Sequence, residues 1–283
     1  MLSATVDIAC GGLAVEQLAP ARRGWGSAVK VGSGYLGMLL GSSLFLLLAH
    51  RLGWPQALGA TAAVMAVLMW PLWHLSEPER QQPGPPRAAP SLRGAWRQPH
   101  VRRGLLLAFV LGAGVRTAAG MVGPWLLDNG VPMEKLAWLF GLFSVGAGLA
   151  GAALGGGLTR WAPGWRAVRL SLALQTGVLS LLAWAAGPGA WPPAALAPVA
   201  GGLFLSMACG FVTLYAALMG LASPHQPGVD FALFQSADAA MAVLGGVAGG
   251  WLAGRWGYGA CFALAAIWAG AALLRAPLHE ARP

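Results

Sequence analysis

The chain has 283 residues, of which 57% are hydrophobic and 10% charged, with a mean hydropathy of +0.63. This composition excludes an ordinary water-soluble domain, and successive apolar runs of about 20 residues, the length that crosses a bilayer, exclude a single membrane anchor. The net charge of +9 does not indicate nucleic acid, because the basic residues lie between apolar runs and not on a polar face with stacking aromatics.

Nine transmembrane helices are predicted, over 1–18, 25–48, 55–74, 104–127, 135–158, 168–186, 193–222, 229–253 and 258–276. The first is short and carries Asp7 and Glu16. It lacks the positive leading region of a signal peptide. The second carries Lys30. After the third comes Ser76 to His100, with Gln81-Gln82-Pro83-Gly84-Pro85-Pro86 and several arginines; no apolar periodicity supports structure there, so it reads as a solvated linker. The fourth span carries Arg116, with Gly112 and Gly120 one turn before and after it, and the eighth carries Asp230 near its start, then Gln235 and Asp238. Cys10, Cys209 and Cys261 lie inside spans without ligand spacing. They read as packing residues, and neither a metal nor a cofactor is expected. Gly37-x-x-x-Gly41, Gly151-x-x-x-Gly155 and Gly246-x-x-x-Gly250-x-x-x-Gly254 are predicted to let helices approach closely.

Lysine and arginine set the orientation. Alternate loops hold thirteen of the 18 basic residues, among them Arg22, Arg23, Arg97, Arg103, Arg160, Arg166 and Arg275, so the linker and the C-terminus are predicted to be cytoplasmic. One stretch recurs 204 residues further on: Pro20, Gly24, Ala28, Leu40, Gly41, Leu48, Ala49, Arg51, Gly53 and Ala62 return at Pro224, Gly228, Ala232, Leu244, Gly245, Leu252, Ala253, Arg255, Gly257 and Ala266. Repeated halves mark many secondary transporters. Used as a ruler, the repeat places the counterpart of Arg103 about 101 residues before Met1. The expectation is an incomplete N-terminal half over 1–74, a cytoplasmic linker over 75–102, a complete six-helix half over 103–277 and a cytoplasmic tail over 278–283. The segments present would be the end of span four through span twelve.

This arrangement resembles the major facilitator superfamily, whose members join two six-helix halves by a long cytoplasmic linker. Ala4-Thr5-Val6-Asp7-Ile8-Ala9, Arg22 to Ala28 and Pro124-Trp125-Leu126-Leu127-Asp128-Asn129-Gly130 resemble the muropeptide permeases of the AmpG-like group. The run from Ser223 to Ala239 is more similar to the siderophore permeases of the RhtX/FptX type. The resemblance implies an all-α membrane protein that imports a siderophore across the bacterial inner membrane with protons, as a monomer. Import of a muropeptide is the rival substrate.

Ionisable groups deep in an apolar span cost about 2.5–3.5 kcal/mol each on insertion scales, so they persist where they face a cavity or a partner. Arg116 and Asp238 both fall near mid-membrane. Arg116 is expected either to hold an anionic group of the solute or to form a fixed ion pair between helices. Asp238, with Gln235 one turn earlier, is expected either to gain and lose a proton or to be buried with Arg116 for packing. Asp7 and Lys30 form a second candidate pair on consecutive helices, and Glu16 with Lys30 reads as a structural clasp at the membrane edge. Asp230 reads as structural, a carboxylate favoured near a helix start. An enzyme is not expected, because all five histidines (His50, His74, His100, His225, His279) lie at span ends or in loops, with no ligand pair at helical spacing.

Overall fold

A computed structural model of the chain describes residues 2–71, 91–187, 189, 191–223 and 226–276; the side chains of Asp7 and Glu16 lie outside the described residues. The described chain is almost wholly helical. Its helices are α1 (Leu2–Gln17), α2 (Pro20–Leu52), α3 (Trp54–Met69), α4 (Leu92–Arg97), α5 (Pro99–Asp128), α6 (Met133–Trp161), α7 (Trp165–Ala185), α8 (Pro193–Met219), α9 (227–256) and α10 (258–275). Each of the nine predicted spans has its helix, and α4 is additional.

The helical run from Pro227 to Arg275 is broken at Gly257 (φ 83°, ψ 166°), and the junction of α2 with α3 is made at Gly53 (φ 87°, ψ 161°). These two glycines are equivalent positions of the 204-residue repeat, and they share one backbone conformation. That region is almost closed to residues with a Cβ, at a cost of roughly 1–3 kcal/mol. Two helices therefore reverse direction on one residue in both places, and the repeat is structural as well as textual.

The segment just before α5 departs from the expected irregular linker. Ser91 Oγ accepts a hydrogen bond from Gly94 N (3.1 Å) and caps α4, Pro99 opens α5, and Ala95 is fully buried. A capping serine and an N-terminal proline suffice to fix two helix starts without any apolar periodicity. The linker portion 72–90 lies outside the described residues.

α5 packs along the α9–α10 run, α6 and α7 pack on α8, and α2 lies against α6 and α8. Two large apolar clusters result, with a small third of Ala28, Ala152 and Val212 where α2 meets α6 and α8. One holds Trp125, Leu139, Leu182, Leu203 and Phe262; the other, at the opposite end of the same helices, holds Val101, Leu172, Leu218, Phe231 and Phe234. Arg116, Gln175 and Asp238 fall in sequence between members of the two clusters, so a polar layer crosses the middle of the bundle. On the outside, α3 leaves Trp54, Leu58, Met65, Val67 and Leu68 exposed, a surface suited to lipid and not to water.

Candidate functional site

The site begins with glycines. An added Cβ at Gly245 would stand 3.1 Å from Thr117 N, one at Gly249 2.7 Å from Thr117 O, and one at Gly120 3.2 Å from Gly246 Cα. Without side chains at these positions, α5 and α9 run backbone to backbone. That closeness lets Arg116 on α5 reach Asp238 on α9 directly. The small-residue seam is lined by the Cβ directions of Gly245 and Gly249; of the expected series Gly246 takes part through its Cα against Gly120, while an added Cβ at Gly246 or Gly254 would meet nothing within 4 Å and one at Gly250 only Met121. Gly151 and Gly155 do meet α8, whereas Gly37 and Gly41 meet nothing within 4 Å.

Arg116 forks onto Asp238. Its Nε donates to Oδ1 at 3.3 Å, and its Nη2 forms an ion pair with Oδ2. Tyr215 on α8 donates its hydroxyl to the same Oδ2 at 3.0 Å. The guanidinium carbon lies 4.3 Å from the ring centre of Phe211, one turn before Tyr215 and a cation–π partner. Gly112 makes room for the carboxylate on the α5 side, since a Cβ there would stand 3.2 Å from Asp238 Oδ1. The pair is lopsided: the Asp238 side chain is 3% exposed and the Arg116 side chain 21%. A carboxylate sealed among donors and a guanidinium with one open side form an anion-accepting arrangement whose strength depends on the carboxylate's charge.

Lys30 reaches from α2 to α9. Its Nζ donates to Gln235 Oε1 at 3.2 Å and stands 5.0 Å above the Phe231 ring. Gln235 and Asp238 are one turn apart on α9, so the two polar contacts share one stretch of helix. Asp230 lies two turns before Asp238 and apart from it. Fully buried, it accepts hydrogen bonds from Ser223 N (2.8 Å) and Gln226 Nε2 (3.2 Å), while Gln226 Oε1 accepts one from Ser91 N (3.1 Å). These bonds tie the entry of α9 to the start of α4.

The structure thus brings Arg116 to Asp238 and Lys30 to Gln235, and leaves Asp230 in a separate network. Tyr215, Phe211 and Gln226 were not singled out by the sequence reading. Only Tyr215 carried a signal. It is one of three tyrosines in the chain, and a hydroxyl within an apolar span needs a partner.

The family profile of the Major Facilitator Superfamily matches residues 1–237, most of the chain. Among the described residues, six helical runs are long and apolar enough to cross a membrane, which agrees with that match. The chain therefore belongs to the Major Facilitator Superfamily, membrane proteins that act as secondary transporters of small-molecule solutes.

Proposed function

We propose that the chain imports a siderophore across the bacterial inner membrane together with protons, acting as a monomer with its C-terminus in the cytoplasm. The observation that carries this reading is the lopsided Arg116–Asp238 pair. When Asp238 takes a proton, the neutral acid no longer holds the guanidinium, and Arg116 turns its open side to an anionic group of the solute. Loss of the proton on the other face restores the ion pair and expels the solute. Lys30 and Gln235 join the helices of 1–74 to those of 103–277, and this contact breaks and re-forms as the two bundles rock. Asp7 acts with Lys30 on the same path, and Glu16 and Asp230 hold helix ends.

Support for the substrate comes from the run Ser223 to Ala239, the segment similar to siderophore permeases. It supplies Asp230, Gln235 and Asp238, three of the polar residues along α9. Support for the orientation comes from the arginine-rich loops. Expression in a bacterial strain that lacks its own siderophore permease and its own muropeptide permease tests the reading. Growth on a ferric siderophore as sole iron source is expected. Restored β-lactamase induction without such growth would transfer the reading to muropeptides.

A further inference from the structure

Gln175, on α7, is 4% exposed. Its Nε2 donates to Ser206 O at 3.3 Å, and its Oε1 has no hydrogen-bond partner among the described residues. A buried acceptor left unmatched costs stability, so such atoms call for an explanation. Gly210 on α8 makes the place for this amide, because a Cβ there would overlap Nε2. The amide borders a pocket among α5, α7 and α8, lined by Gly112, Ser171, Leu172, Gln175, Gly210 and Phe211 among others. The pocket has about 10 Å³ of room for the centre of a water-sized group, roughly the space that one oxygen atom needs.

Two walls of this pocket are also walls of the ion-pair site. Gly112 borders Asp238 Oδ1, and Phe211 lies under the Arg116 guanidinium. The pocket and the ion-pair site are therefore neighbours. Ser171 is already engaged, 2.7 Å from Thr213 Oγ1 and 2.9 Å from Val168 O, which leaves Gln175 Oε1 as the acceptor on offer. The lining has no carboxylate, so a neutral donor suits it better than an ammonium group.

We propose that this pocket is a second recognition subsite, in which Gln175 Oε1 accepts a hydrogen bond from a hydroxyl of the transported anion. The solute class is thereby narrowed to hydroxyl-bearing organic anions, with the negative group on Arg116 and the hydroxyl beside it. The inference rests on the reading of Arg116 given above.

Its test compares binding of 3-hydroxybenzoate and benzoate, one anion with and without a hydroxyl that cannot bond to its own carboxylate, to the purified full chain. The native protein is expected to prefer 3-hydroxybenzoate by about three- to tenfold, the range of one hydrogen bond. Gln175→Leu should erase that preference while keeping benzoate affinity, and Gln175→Met should do the same if the leucine variant does not assemble. Arg116→Ala should weaken both anions. Equal native affinities, as a permanently held water at Gln175 would give, overturn the subsite alone, as does a preference that survives loss of the amide. Binding of neither anion, or binding indifferent to Arg116→Ala, overturns the subsite and the reading of Arg116 together.

Discussion

Asp238 is the buried member of its pair and Arg116 the accessible one, so the proposed mechanism gives the proton and the solute different residues of one switch. Removing one partner strands the other. Arg116→Ala leaves Asp238 with Tyr215 as its remaining side-chain donor among the bonds described above, and the expected loss of stability is about 3–5 kcal/mol. The double variant Arg116→Ala/Asp238→Asn removes both charges and should recover most of the thermal stability in detergent without recovering uptake. If uptake returns with stability, the pair is a structural tie and nothing more. Tyr215→Phe keeps the ion pair and removes one bond to a charged group, at about 1.5–3 kcal/mol. Its melting temperature should fall and its uptake should be reduced but measurable. The two mid-membrane charges were legible in the sequence because charge inside an apolar span is rare. Phe211 and Gln175 were not. An aromatic in an apolar helix reads as core, and whether an amide finds all its partners depends on which helix lies opposite.

Helix contacts were legible in kind and misread in register. The sequence offers Gly245-Gly246 and Gly249-Gly250 as adjacent pairs, and neighbouring residues on a helix point about 100° apart. Only the position of α5 decides between them. Gly249→Ala should therefore lower thermal stability by about 1–3 kcal/mol through overpacking against Thr117, whereas Gly246→Ala, with open space around it, should leave it unchanged. Equal effects would move the seam. Two π turns were not foreseen, Leu39–Leu44 within α2 and Leu139–Phe143 within α6. They face each other across the packed helices. In α6 the loosened carbonyls are taken up by Ser144, whose hydroxyl donates to Phe140 O (2.6 Å) and Gly141 O (3.1 Å). A serine that bonds backward along its own helix looks like any other serine in a sequence.

Across the whole molecule, the first helices meet the rest along the length of α2. Added Cβ atoms would meet Gly228 Cα at 3.2 Å from Gly12 and Ala28 Cβ at 3.1 Å from Gly156, and one at Gly24 would overlap Thr159; further along, one at Gly148 would overlap Tyr35, and Leu39–Leu44 lies against Leu139–Phe143. The glycine turns at Gly53 and Gly257 add a shared geometry to the internal repeat. The proposed mechanism requires part of this contact to open while the rest stays closed. The most direct measurement is uptake of a labelled ferric siderophore into vesicles containing the chain, with and without an imposed proton gradient, for the native protein and for Asp238→Asn at matched levels. Native vesicles should accumulate solute only with the gradient. The Asp238→Asn protein should exchange solute at equal pH yet accumulate no more than empty vesicles. Gradient-driven accumulation by Asp238→Asn equal to that of the native protein would contradict the account.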